Sequence, residues 1–349
     1  MFKHSISSIP QNLLTPLQSV RQKSLKWGAI GIVIVFISLL VSIGLGAVWI
    51  QPTVVMDSFI SFQSENIEHQ LIREVRIPRA LTAAFIGAAL AVAGTIMQGI
   101  TRNPLADPSI IGITHGSGLA IAVSLAFIGS GSYWNLLIWS FAGSAIGAVF
   151  VLSFTMISKE RISPVTLTLA GAALSTLFSA LSTGIALYFQ VSQDLSFWFA
   201  GGLSGTKWLH VYILLPTLII GLILALYISR SLTILAMGEE VAAGLGQSFH
   251  KVRWIGLISV IVLSGAAVSI AGAIGFIGLV VPHIVRLIIG PDYRWLLPLS
   301  AVFGALLLIL ADIGARMINP PFETPVSAVT ALIGVPFFIY LSRQKRGHM

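Results

Sequence analysis

Arg73, Arg76 and Arg79 stand three residues apart, directly ahead of a long run without charge. Groups at that spacing share one side of a helix. A guanidinium takes a carboxylate through parallel N–H···O bonds, so the chemistry on offer is recognition of acid groups. Pro78 suits a first helical turn, which puts Arg76 just before a helix and Arg79 just inside it, where an acidic protein could reach both. Two plainer readings compete: pairing with Glu65, Glu68 or Glu74 nearby, and snorkelling of arginines at a span end. Covalent chemistry has little to work with. Cysteine is absent, His115 and His283 stand alone with no HExxH around them, and Asp312 is the lone acid inside an apolar run. The phosphate-cradling pattern GxxxxGK[ST] is missing, so any ATP that drives this protein must bind another chain.

The elements that carry these residues belong to lipid. Of 349 residues, 56% are hydrophobic and 9% charged, against about 25% charged in soluble domains. Mean hydropathy is +0.94. The net charge of +8 is spread a few residues per loop, which membrane topology explains better than a nucleic-acid patch does. Apolar runs of span length are Trp27–Ile50, Ala80–Ile100, Ser109–Gly129, Trp134–Ile157, Pro164–Gln190, Trp208–Ser229, Trp295–Ala311 and Thr324–Leu341. Trp254–Val285 would make a helix of about 48 Å, too long for a hydrocarbon core of about 30 Å. Splitting it near Gly265–Gly272 places most Lys and Arg on the side of the N-terminus; leaving it whole divides them almost evenly. The expectation is an all-α polytopic protein of ten transmembrane helices with both termini cytoplasmic. Residues 1–26 form a polar, disordered tail, 27–342 the membrane domain and 343–349 a short tail. The first span is too long, and its flank too extended, for a cleaved signal. This topology leaves the three arginines outside, against the usual bias.

Two cytoplasmic links stand out. In "TRNPLADPSIIG" the prolines forbid a continuous helix and Asp107–Pro108 reads as an N-cap with a first-turn proline, leaving Asn103 and Leu105 for other work. The link from Arg230 to Arg253 breaks at Gly238, Gly244 and Gly246 into short helices. One of these opens on Glu239 and Glu240, which the helix dipole favours. A helix lying flat on lipid would expose Lys and Arg instead, so the glutamates suit a protein partner. Gly, Ala and Ser inside the spans favour close helix packing. Acid-poor spans argue against an ion-coupled secondary carrier, the alternative class; a membrane scaffold or sensor is the other.

The segments "RIPRALTAAFIGAALAVAGTIMQGITRNPLADPSIIGITHGSG", "LAGAALSTL", "FWFAGGLSG", "MGEEVAAGLG", "AGAIGFIGLVVPHIVRLIIGPDYRWLLP" and "ADIGARMI" together resemble the permease family of ABC importers for iron siderophores, haem and cobalamin, from Val48 to Leu341. The resemblance implies a type II ABC importer permease of ten helices, paired with a second permease, identical or paralogous, around a central path. It implies a cytoplasmic ATPase dimer that uses ATP and Mg, with no cofactor or metal bound by this chain, and an extracytoplasmic binding protein that delivers cargo. It further implies that Arg76 and Arg79, with Arg316 in "ADIGAR", receive acids of that binding protein, that Asn103 and Leu105 gate the cytoplasmic mouth, and that Glu239, Glu240, Ala242, Ala243 and Gly244 in the coupling helices (about 231–250) seat in the ATPases. A second gate near Ser163 to Thr168 stays open, as does the choice among ferric siderophore, haem and cobalamin, with ferric siderophore favoured. The expected location is a bacterial plasma or inner membrane.

Overall fold

The computed structural model describes residues 11–46, 48–129, 133–157, 164–245 and 249–344. All regular structure among them is helical. In chain order the helices are α1 (Gln11–Gly44), α2 (Pro52–Ile60), α3 (Ile67–Leu71), α4 (Ile77–Thr101), α5 (Ile113–Phe127), α6 (Tyr133–Ile157), α7 (Pro164–Tyr188), α8 (Ser192–Ala200), α9 (Trp208–Tyr227), α10 (Ser229–Ala236), α11 (Glu239–Gly244), α12 (Phe249–Ala271), α13 (Ile277–Ile289), α14 (Tyr293–Met317) and α15 (Val326–Gln344). A π-helical turn, Ile72–Arg76, leads into α4, and a 3-10 turn, Pro108–Ile111, leads into α5.

Among the described residues, seven helical segments are long and apolar enough to cross a membrane, and α5, α13 and most of α15 are shorter apolar helices. Together they supply the ten expected spans. The division of Trp254–Val285 falls later than expected: α12 stays helical through Gly265 to Ala271, and the chain breaks over 272–276. Gly272 at φ +68° and Phe276 at φ +69° turn the backbone there. A side chain at 272 would stand 2.2 Å from the Trp198 carbonyl oxygen, so only glycine fits. A second correction concerns the N-terminal tail, which is helical from Gln11 onward and continues into α1. The helix α15 likewise extends to Gln344, into the expected C-terminal tail.

α4 is the axis of the bundle, packed by α9, α12, α13 and α14. Its sequence is rich in Ala and Gly, and almost every residue from Pro78 to Thr101 is buried. Small side chains let the neighbouring backbones come close, the usual basis of packing where lipid removes the hydrophobic drive. α5 and α6 join in the same way, helped by Ser117 Oγ donating to the Ser140 carbonyl at 2.6 Å. The non-helical segments before α5 and before α13 meet across a cavity of about 140 Å³ lined by Asp107, Pro108, Ala273, Ile274 and Gly275. Irregular backbone at this depth is tolerated because protein and the cavity cover it.

Candidate docking and coupling sites

The arginines converge where α1 ends. The last carbonyls of a helix have no partner within it, and α1 is closed by side chains from two other helices. Arg76 Nη1 donates to the carbonyls of Ile43 and Gly44 at 2.7 and 2.8 Å, and its Nη2 to Val48 at 2.5 Å. Arg316, on α14, donates through Nη1 to the carbonyls of Ser42 and Leu45 at 3.2 and 2.8 Å, and through Nη2 to Ser42 Oγ at 2.8 Å. Two cations therefore sit at the negative end of the α1 dipole. Arg79 grips Asp312 through Nε and Nη2 at 3.0 and 2.8 Å, while its Nη1 meets Glu323 at 2.5 Å. Asp312 also pairs with Arg316 at 3.1 Å. Arg79 and Arg316 thus share Asp312, Arg79 also holds Glu323, and Arg76 closes α1 beside them, so that these side chains form one knot.

The arginines expected to receive a partner's acids are buried within this chain. Arg76, Arg79 and Arg316 are each 6% exposed and Asp312 is fully buried. Charge in a low-dielectric setting must be paired and hydrogen-bonded, and the α1 carbonyls and Asp312 draw the guanidiniums inward. Glu323, with its side chain 40% exposed, is the member of the knot that solvent reaches. Arg73 does not pair with Glu65, Glu68 or Glu74. It donates to the Ser58 carbonyl at 3.2 Å and lies 4.0 Å over the Phe62 ring. Of the knot, sequence reasoning singled out the arginines and noticed Asp312 without giving it a role; it missed Glu323 and Ser42. The arginine–acid spacing in "ADIGAR", i to i+4, was a usable signal for the Asp312–Arg316 pair.

At the opposite end of the bundle, α10 and α11 occupy the stretch expected to meet the ATPases, as two short helices. Glu240, Ala243 and Gly244 are exposed, while Ala242 is 1% exposed. The short helix turns Ala242 toward the bundle, so that residue seats α11 rather than offering itself to a partner. The Glu239 side chain lies outside the described residues. Met237, Val241 and Leu245 are exposed apolar side chains on the same segment, 65%, 46% and 63% exposed, and sequence reasoning did not name them as site residues. Thr233 ties α10 to the start of α14: its hydroxyl accepts from the Tyr293 amide at 3.1 Å, and its one proton faces the Ser229 carbonyl at 3.0 Å and Asp292 at 3.4 Å. Asp292 caps α14 and holds Arg294. Burial pushes the Asp292 carboxyl up, but the Arg294 bonds outweigh it and hold it below the usual carboxylate range.

In the link before α5, Asn103 Oδ1 accepts the Leu105 amide at 3.0 Å and the Asn103 carbonyl accepts the Ala106 amide at 3.1 Å. Asn103 therefore shapes its own turn, and Leu105 is half-buried. The Asp107 side chain accepts the Ser109 amide at 2.9 Å, the N-cap expected there. The region of the open second gate lies partly outside the described residues, which resume at 164.

The model of the FecCD transport family matches residues 34–344, somewhat more than the stretch the motifs covered. The iron(3+)-hydroxamate import system permease protein FhuB of Bacillus subtilis (strain 168) is 48% identical over 341 residues, 96% of this chain and 89% of that protein. The ferric enterobactin transport system permease protein FepD of Escherichia coli (strain K12) is 38% identical over 317 residues, 90% of this chain and 94% of that one. Among solved structures, an inward-facing metal-chelate type ABC transporter shares the fold with a TM-score of 0.80 and 30% identity, covering 91% of this chain and 99% of that one. Ten apolar helices in this arrangement, matched along nearly the whole chain, place the protein in the FecCD transport family.

Proposed function

We propose that this chain is the membrane permease of an ABC importer for a ferric hydroxamate siderophore. The observation that carries the reading is the 48% identity, over 96% of the chain, to a permease named for iron(3+)-hydroxamate import. Both termini face the cytoplasm and the arginine end faces outward. An extracytoplasmic binding protein brings the chelate and docks its acidic residues at the knot of Arg76, Arg79 and Arg316. Charge-assisted pairing of a guanidinium in the knot with an acid of the partner orients the docking more than it supplies affinity. Partner ATPases seat against Glu240, Ala243 and Gly244 with Met237, Val241 and Leu245; Leu105 narrows the inner mouth in a loop that Asn103 holds. A second permease, identical or paralogous, completes the path.

α14 supports a mechanical link between the two ends. Its first turn is tied to α10 through Thr233 and Asp292, and its last turns carry Asp312 and Arg316. A helix of 25 residues spans about 37 Å, so motion of the coupling segment reaches the docking knot along one stiff element. Rigid-body rocking of packed helices is a common form of such switching.

The test is uptake of radioactive iron, presented as hydroxamate, catecholate and citrate chelates, by cells with and without the gene. Loss confined to hydroxamates is expected. Intact uptake of every ferric chelate with loss of haem or cobalamin uptake would move the cargo within the family. Uptake that follows the proton gradient while ATP is held constant would instead indicate an ion-coupled carrier. The coupling assignment is tested by Val241→Asp with Leu245→Asp, which should cut ATPase co-purification about tenfold or more, since buried charge disfavours an apolar seat. Full recovery of the ATPase with normal coupling would remove α11 from that role.

A further inference from the structure

We infer that Glu323 holds, in the undocked permease, the place of the binding protein's carboxylate on Arg79, and that docking displaces it. This rests on the docking assignment above and adds an internal competitor to it. The two edges of the Arg79 guanidinium differ. Nε and Nη2 are closed by Asp312, which is fully buried and also holds Arg316. Nη1 carries Glu323, whose side chain is 40% exposed. Asp312 cannot leave without stranding two buried cations, whereas the part-exposed Glu323 can return to water while Asp312 still neutralises Arg79. Arg316 spends its donors on Ser42, Leu45 and Asp312, and Arg76, 6% exposed, turns both terminal nitrogens to the carbonyls of Ile43, Gly44 and Val48. The edge of the knot that an outside acid can take is therefore the one that Glu323 occupies.

The position of Glu323 gives the exchange a consequence. The next residue, Thr324, donates its amide to the Ala315 carbonyl at 3.1 Å, and Ser327, in the first turn of α15, bonds the Ala200 carbonyl at 2.5 Å. Glu323, Thr324, Pro325 and Val326 also line a cavity of about 410 Å³, opposite Trp198, Gly201 and Gly272. Releasing Glu323 from Arg79 frees one anchor of the segment that starts α15 and walls this cavity. The permease thereby registers arrival of its partner at the outer mouth. An acid supplied in trans does what Glu323 does in cis, so the undocked state is self-capped.

The experiment uses the assembled permease–ATPase complex in nanodiscs of zwitterionic lipid, titrated with the chelate-loaded binding protein of the same import system. Glu323→Gln should tighten binding about fivefold, because the carboxamide no longer competes for Arg79. Glu65→Gln removes the same charge from an exposed site in the segment ahead of α3 and should leave affinity unchanged. Arg79→Gln with Asp312→Asn, which removes the pair but leaves Arg316 its Ser42 and Leu45 bonds alone, should loosen binding in a complex shown by size exclusion to assemble normally. If that pair loosens binding while Glu323→Gln leaves it unchanged or weaker, the competitor role is overturned and docking at the knot stands. If Glu65→Gln tightens binding as much as Glu323→Gln, the effect is a general field and the competitor role is again overturned. If no variant changes affinity, the docking assignment itself falls and takes the inference with it.

Discussion

Asp312→Ala should destabilise the permease by about 3–5 kcal/mol, the cost of leaving a buried charge without its partner. Asp312 lies at 0% exposure between Arg79 and Arg316, bonded to both. Without it two guanidiniums face each other in a site that water cannot readily reach, and the closure of α1 by Arg316 loses its support. Asp312→Asn keeps an acceptor for Arg79 and should cost less. The measurement is thermal unfolding in nanodiscs, with assembly followed by size exclusion. A loss below about 1 kcal/mol for Asp312→Ala would show that the knot is not a structural unit. The same geometry changes how charge reversal is read. Arg76→Glu with Arg79→Glu sets a new carboxylate against Asp312 and uncaps α1, so lost uptake in that variant would report a broken fold. Arg79→Gln with Asp312→Asn introduces no new carboxylate and leaves the Arg76 closure of α1 in place, so it disturbs the knot less, although Arg316 loses its acid.

The second large effect is expected at the crossing of α4 and α13. A Cβ at Gly94 would stand 2.0 Å from the Gly278 carbonyl oxygen and 2.3 Å from its Cα. Backbone cannot give way as a flexible side chain can, so the helices must separate. Gly94→Leu should cost about 3 kcal/mol or more, the upper range for overpacking, and should abolish transport. Separation would also pull apart the Gln98 bonds to the Gly278 and Leu279 carbonyls at 3.2 and 3.4 Å, and with them the Arg286 bond to Gln98 at 2.9 Å. Gly314→Ala in α14 provides the contrast. Its Cβ would meet Val329 at 3.8 Å, an ordinary contact, and alanine favours a helix over glycine by about 1 kcal/mol. Gly314→Ala should therefore be neutral or stabilising by thermal unfolding, while Gly94→Leu fails to assemble. Equal behaviour of the two would refute the packing account.

What the chain states by itself is the part of the fold that depends on one residue at a time or on short periods. Apolar runs of bilayer length identify spans because each residue adds a fixed rise and lipid tolerates no charge. The charge distribution required a break in Trp254–Val285 because only the divided form places Lys and Arg mainly on one side. Asp107 before Pro108 announced its N-cap through local geometry alone, and the structure has the bond. The ordered motifs pointed to the family, which the match over residues 34–344 then established.

Other features depended on pairs of helices far apart in sequence. Position 272, where the break begins, admits only glycine because α8 brings the Trp198 carbonyl against it, a neighbour that no window around Gly272 contains. Ala242 looked like its neighbours in "EEVAAGLG", but the angle at which α11 leaves the bundle turned it inward. The arginines were readable as acid-seeking residues, yet their direction was decided elsewhere. The orphan carbonyls at the end of α1 lie 32 and 33 residues from Arg76, and the carboxylate of Asp312 on α14 lies 233 residues from Arg79. Sequence determined which groups carry charge and where the membrane must be. Tertiary structure decided which charges meet, because desolvation makes a buried guanidinium take the nearest acceptor that folding brings to it.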